Sequence, residues 1–276
     1  REGGLAPNAT VMSWRGEAGG ITAANQNHNV IMTPENPLYL NHAQIKNEDS
    51  ITQGGFNPIE NVYNYDPVSS KLNAYKAKYI LGAQGNMWSE YIGSKEKLEY
   101  MLFPRMSALS EALWTPKQNK DWKDFERRLP AIMQRYEMWG ANYSNSFYQL
   151  QSSVLPTTDY KGVLWNLESK SPKPITVNFD MADTIWGYVN PQLIAGNTTA
   201  YAYLEGKNRK VLSQKFCFNK ATGKKIKLKD EPSGNWTSSG AFTLVNGIIT
   251  ERKLEQSAEW LGFLGKDLDA TIDLGK

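Results

Sequence analysis

Leu81 to Ile92 reads LGAQGNMWSEYI, a Gly-rich turn that carries an indole and a carboxylate two residues apart, directly after the apolar run Tyr79-Ile80-Leu81. Along an extended backbone residues i and i+2 point to the same side, so Trp88 and Glu90 are expected to face one point in space. An aromatic floor with one charged acceptor suits a ligand that has both an apolar face and hydroxyl groups, since hydrogen bonds to a carboxylate are stronger than neutral ones. Nine Trp and fourteen Tyr in 276 residues point the same way, because a flat ring covers the C–H face of a pyranose. A few large cores would explain that surplus equally well.

The elements that must position these residues follow from apolar periodicity. Thr10 to Trp14 (TVMSW), Asn29 to Thr33 (NVIMT) and Tyr79 to Ala83 read as strands, with Glu17 to Gln26 long enough for one short helix between the first two. Leu98, Met101, Leu102, Met106, Leu109 and Leu113 fall at helical spacing with Pro104 in an early turn. Trp122, Phe125, Leu129, Ile132, Met133, Tyr136 and Trp139 give a second amphipathic helix closed by Gly140. Strands that alternate with helices predict a parallel sheet, whose ligands sit at the carboxyl ends of the strands. Trp14, the segment after Thr33, and Trp88 with Glu90 all lie at such ends.

Composition removes several classes of function. The net charge is +3 with 21% charged residues, and the basic cluster KATGKKIKLK at 220–229 reads as a solvated strand or turn, so nucleic acid is not an expected partner. One cysteine, Cys217, and two histidines, His28 and His42, supply neither a disulfide nor a zinc framework, and no metal or cofactor is expected. No apolar run reaches the ~20 residues of a bilayer span. The N-terminal REGGLAPNAT has neither a signal-peptide pattern nor an initiator Met, and the chain is expected to be a piece of something longer.

Length predicts two or three domains, or one large barrel. Ser152 to Gly162 (SSVLPTTDYKG) reads as a linker after a first domain at 1–151. Short alternating strands follow at Val163–Leu167, Ile175–Phe179, Thr184–Val189, Ala200–Glu205 and Val211–Phe218, as in an antiparallel sandwich of the immunoglobulin-like kind over 163–235. A further piece runs from Trp236 to the strand-like end ATIDLGK.

LGAQGNMWSEYI followed by EYMLFPRMSALSEALWT resembles the closing strand and helix of the β-N-acetylhexosaminidases of glycoside hydrolase family twenty; VMSWRG, PLYLNH and VYNYDP precede it in that family's order. The resemblance covers roughly residues 5–150 and rests on four ordered motifs. It implies the last three strands of a (β/α)8 TIM barrel, followed by the sandwich and, at 236–276, the start of a discoidin-like, galactose-binding-type module. The family removes terminal β-linked N-acetylglucosamine or N-acetylgalactosamine with retention, the substrate's own acetamido oxygen acting as nucleophile. The adjacent Asp-Glu pair that serves this step in the family is expected upstream of Arg1, so this chain alone is expected to be inactive. Glu48-Asp49 lacks an apolar strand around it and reads as a solvated loop.

By resemblance, Trp14 and Trp88 wall the acetamido pocket, and Tyr39 corresponds to the tyrosine that holds the acetamido carbonyl in line. Glu90 matches the carboxylate that accepts hydroxyls of the terminal sugar. Asn41 stands where many members have Asp, which weakens recognition of the C4 and C6 hydroxyls. Arg105, Glu111 and His42 are assigned to structure. The expected partners are amino-sugar glycans in the periplasm or outside the cell, with self-association through the incomplete barrel. The alternative is a non-catalytic carbohydrate-binding protein that uses Trp186, Trp236 and Trp260 as platforms.

Overall fold

The computed structural model describes residues 4–45, 51–180, 190–204, 211–234, 236–249 and 259–275, in two compact units, Arg1–Asn145 and Ser146–Lys276. Glu48-Asp49 and the expected strand Thr184–Val189 with Trp186 lie outside the described residues.

The first unit runs β1 (Thr10–Ser13), α1 (Ala18–Asn25), β2 (Asn29–Met32), the short kinked turn α2 (Glu35–Leu38), β3 (His42–Ala43), β4 (Gln53–Phe56), α3 (Ile59–Asn64), α4 (Ala74–Ala77), β5 (Ile80–Ala83), α5 (Lys95–Leu102), α6 (Arg105–Trp114) and α7 (Trp122–Trp139). Strands β1, β2 and β5 form a parallel sheet in that order, with Val11 opposite Val30 and Val30 opposite Ile80. Alternation sends Val30 and Met32 to one face, where both are fully buried. Helix α1 lies on that face so closely that a Cβ at Gly20 would stand 2.6 Å from Met32 Sδ and 3.0 Å from Val30 Cγ1, so any larger residue there requires Met32 to shift. On the other face Met12 is exposed, as is Leu81, at 60%, beside the register shift in β5. Parallel sheets ordinarily have both faces covered.

The helical period over 98–113 is broken in the structure into α5 and α6. Proline lacks the backbone N–H and its ring collides with the preceding turn, so Pro104 opens α6 rather than continuing α5. Helix α7 matches its periodicity. The Asp121 carboxylate caps it by accepting from the amides of Lys123 and Asp124 at 2.9 and 3.2 Å, and Gly140 ends it in the left-handed region at φ +68°. Phe125, Leu129, Met133 and Tyr136 form its buried stripe, whereas Trp139 is exposed.

The second unit contains β6 (Gln151–Pro156), β7 (Val163–Glu168), β8 (Ile175–Phe179), β9 (Gln192–Ile194), β10 (Thr198–Leu204), β11 (Val211–Phe216), β12 (Lys225–Leu228) and β13 (Ala270–Asp273). Two antiparallel sheets, β6-β7-β9 and β11-β10-β8, enclose one core around the fully buried Trp165, whose ring meets Phe179 and Phe216 edge-on at 6.4 and 6.1 Å. The stretch expected to be a linker at 152–162 therefore begins inside a strand: Val154 is buried opposite Trp165 in β6. The expected boundary at 235/236 does not separate two modules either. Strand β13 pairs antiparallel with β12, and the amides of Gly223 and Cys217 donate to the carbonyls of Val245 and Gly247, each at 2.7 Å. Strand β13 finds its partner far upstream in the sequence, in register from Ala270 opposite Leu228 to Asp273 opposite Lys225.

Candidate functional site

The carboxyl ends of β1, β2 and β5 are joined by backbone hydrogen bonds that fix the loops following them. Thr33 N donates to Ser13 O at 3.2 Å, Glu35 N to Trp14 O at 3.0 Å and Gln84 N to Met32 O at 3.0 Å. Beyond them Leu40 N donates to Asn86 O at 2.7 Å and Asn86 N to Leu38 O at 2.8 Å, so Tyr39 and Asn86 form a parallel bridge. This bridge brings the chain around Tyr39 against the segment that carries Trp88.

The consequence is an aromatic pair. The buried Tyr39 ring lies 5.9 Å from the Trp88 ring, tilted by 58°, and 5.9 Å from the His42 imidazole. Trp88 itself keeps 49% of its surface exposed, which leaves a ring wall for a ligand. Asn41 is buried, and its Oδ1 has no hydrogen-bond partner; the same holds of Thr33 Oγ1 and His42 Nε2. Buried polar atoms are ordinarily paired, and an unpaired one calls for an explanation, such as a ligand or ordered solvent that completes the bonding. His42 Nε2 is 3.6 Å from Glu35 Oε1, beyond hydrogen-bond length. Burial holds the His42 pKa below its ordinary value, the Glu35 charge opposes this and the Arg105 charge adds to it. The imidazole is therefore neutral at neutral pH.

Of the residues expected to converge, the structure thus joins Tyr39 and Trp88 directly and places Asn41 two residues from Tyr39 with an unpaired acceptor. Trp14 stands exposed at the end of β1, with the Arg15 guanidinium 4.7 Å over its ring. Glu90 is exposed in a turn closed by Ile92 N donating to Ser89 O at 3.1 Å. The expectation that alternation turns Trp88 and Glu90 to one side has no strand to rest on, because β5 ends at Ala83 and residues 87–89 belong to no strand. Among the described residues, no ring or hydrogen-bond contact links Trp14 or Glu90 to the Tyr39–Trp88 pair.

The residues assigned to structure do have structural partners. Glu111 receives Arg128 in a two-pronged ion pair at 2.9 and 2.6 Å and faces the Tyr63 hydroxyl at 3.3 Å; burial and this carboxylate raise the Tyr63 pKa. VYNYDP thus serves helix packing through Tyr63, which also meets Trp122 and Phe125. A groove of about 390 Å³ along α6 and α7, between Glu111, Trp114, Arg128 and Trp139, contains none of the residues singled out for ligand chemistry. Asn57 and Glu35 border the candidate site and were not singled out by sequence; an Asn before Pro and a Glu after Pro carry no signal beyond a helix start. Among the described residues, no cluster of His, Cys, Asp and Glu could hold a metal ion, and no helix is long and apolar enough to cross a membrane.

The chain is similar to known proteins over its first half. Residues 2–117 match the model of the glycosyl hydrolase family 20 catalytic domain. A stretch of 144 residues, 51% of the chain, is 51% identical to a beta-hexosaminidase of Porphyromonas gingivalis and spans 18% of that protein. Another of 109 residues, 38% of the chain, is 30% identical to a beta-hexosaminidase of Vibrio furnissii and again spans 18% of it. Among solved structures, the exo beta-N-acetylglucosaminidase of Vibrio harveyi in complex with N-acetylglucosamine aligns over 51% of this chain and 22% of its own, at 31% identity and a TM-score of 0.47. Residues 2–117 are family 20 catalytic-domain sequence, and their parallel strands and helices are part of a TIM-barrel-related fold. The chain spans less than a fifth of the length of these two curated relatives.

Proposed function

We propose that this chain is the C-terminal part of a retaining, substrate-assisted β-N-acetylhexosaminidase that works in the periplasm or outside the cell. It supplies the amino-sugar pocket, and the acid comes from barrel strands that precede it. The observation that carries this reading is the Tyr39–Trp88 pair beside the unpaired Asn41 oxygen, at the strand ends of a stretch that matches the family 20 catalytic domain.

In this reading Trp88 and Trp14 cover the acetamido methyl and the sugar ring. The Tyr39 hydroxyl donates to the acetamido carbonyl oxygen, and holds it in line as that oxygen attacks the anomeric carbon. Asn41 Oδ1 and the Glu90 carboxylate accept hydroxyls of the terminal sugar, the carboxylate more strongly. The exposed Met12 and Leu81 face of the sheet is where the remaining strands of the barrel lie, and the isolated chain self-associates through it. The sandwich is an accessory module of the immunoglobulin-like kind.

The test is a chromogenic N-acetyl-β-D-glucosaminide assay on residues 1–276 and on the same chain joined to its upstream coding sequence. The expected result is no turnover by the first and turnover by the second. Turnover by residues 1–276 alone, or none by either, contradicts the reading.

A second reading, carbohydrate binding without catalysis, draws on the half-exposed Trp236 and Trp260 of the second unit. Titration of the chain with chitooligosaccharides discriminates: binding that survives Trp88→Ala and is lost in Trp236→Ala or Trp260→Ala favours it.

A further inference from the structure

Tyr39 and Asn41 lie in the short connection between α2 and β3, where the Leu38 carbonyl accepts from Asn86 N at 2.8 Å. Two side chains from elsewhere in the unit hold the carbonyls of Pro37, Tyr39, Leu40 and His42. Asn57 Nδ2 donates to Pro37 O at 2.6 Å and to Tyr39 O at 3.2 Å. The Arg105 guanidinium donates through Nη2 to Leu40 O, and through Nη1 to His42 O at 3.0 Å and to Asn57 O at 2.9 Å. It also donates through Nη2 to Met101 O of α5 at 2.7 Å. The amide thus takes the carbonyls of Pro37 and Tyr39, the guanidinium takes those of Leu40 and His42, and the guanidinium also holds the main chain of Asn57 through its carbonyl.

The guanidinium occupies an expensive place. Arg105 is 0% exposed, although a charged side chain is almost never fully buried. It is also the first residue of α6, where the helix dipole disfavours a cation. A residue there only to fill space between helices would be apolar. What distinguishes arginine is its rigid planar fork of donors, which can satisfy several carbonyls in fixed directions at once; lysine presents its donors from a single point.

We propose that Arg105 and Asn57 are positioning residues of the amino-sugar site, a clamp that fixes the backbone of residues 37–42 so that the Tyr39 hydroxyl meets the acetamido carbonyl. This inference rests on the function proposed above. A misplacement of about 1 Å at such a group lowers turnover on the order of 100-fold. The clamp acts through Tyr39, so its loss and the loss of the Tyr39 hydroxyl overlap.

The experiment is a double-mutant cycle in the hydrolase that carries this chain with its upstream strands. Arg105→Lys and, independently, the isosteric Asn57→Asp are each combined with Tyr39→Phe, and kcat is corrected for the folded fraction by circular dichroism. The expected result is that either clamp variant lowers kcat on the order of 100-fold when Tyr39 is present and by less than about tenfold in the Tyr39→Phe background. Equal fold losses in both backgrounds, as a purely structural defect gives, overturn the clamp, and Asn57→Asp carries the test should Arg105→Lys not fold. Absence of turnover by the unmutated hydrolase sinks the proposed function, and the clamp with it; turnover with independent losses sinks the clamp alone.

Discussion

Replacing Trp88 by Ala separates a ligand wall from a packing residue. Trp88 is 49% exposed, and its ring meets the Tyr39 ring at 5.9 Å. An indole side chain has roughly 200 Å² to bury, so the exposed half offers roughly 100 Å² to a sugar. At about 25 cal/mol/Å² that is about 2.5 kcal/mol of binding, or roughly 60-fold in affinity. The unliganded protein loses the buried half as well, again roughly 100 Å² or about 2.5 kcal/mol, besides the ring contact with Tyr39, about 0.5–1.5 kcal/mol. Trp88→Ala is therefore expected both to lower the melting temperature and to raise KM for a chromogenic N-acetyl-β-D-glucosaminide by tens of fold in the complete hydrolase. A KM within about threefold of the parent, with the melting temperature lowered, would show that the ring is packing alone and refute the reasoning.

Two further outcomes follow from the same coordinates. Trp165→Ala empties the centre of the two-sheet core and is expected to destabilise the second unit by about 3–5 kcal/mol, read by urea denaturation; a loss below about 1 kcal/mol would mean that the sheets do not share that core. His42 keeps a folded pKa below its ordinary value of 6.5, so as pH drops through that value the unfolded chain takes up a proton that the folded one refuses. Stability of the first unit is expected to be flat above pH 6.5 and to decline just below it, a slope that His42→Asn removes. The exposed Asp124, held low by Arg127 and Arg128, acts only near the more acidic carboxylate range. An identical pH profile for the parent and His42→Asn would contradict the burial of a neutral imidazole.

How much of this was legible before the structure depends on the range over which the signal acts. β1, β2 and β5 fall within a residue of their apolar runs, and α7 spans its apolar period from Trp122 and ends at the expected Gly140, because strand burial and helix capping are written locally. Strand β6 was read as a linker since SSVLP holds just two large apolar residues; it is a strand because β7 pairs with it, and pairing depends on the partner. The same holds for β13, whose partner lies across a long intervening segment. At the site, residue type and spacing announced Trp88 and the family resemblance announced Tyr39 and Asn41, but the backbone path after Ala83 decides which of the expected group meet. Arg105 was assigned to structure by the family resemblance, but its bonds and its partner Asn57 left no trace in the sequence, because main-chain carbonyls accept from them and every residue has one.

The most direct test of the amino-sugar pocket is a crystal structure of the complete hydrolase with N-acetylglucosamine bound. The account predicts the acetamido methyl against the Trp88 ring, its carbonyl oxygen within hydrogen-bond reach of the Tyr39 hydroxyl, and sugar hydroxyls on Asn41 Oδ1 and Glu90. A sugar seated on Trp236 or Trp260, with the strand ends of the first unit free of it, would contradict the account.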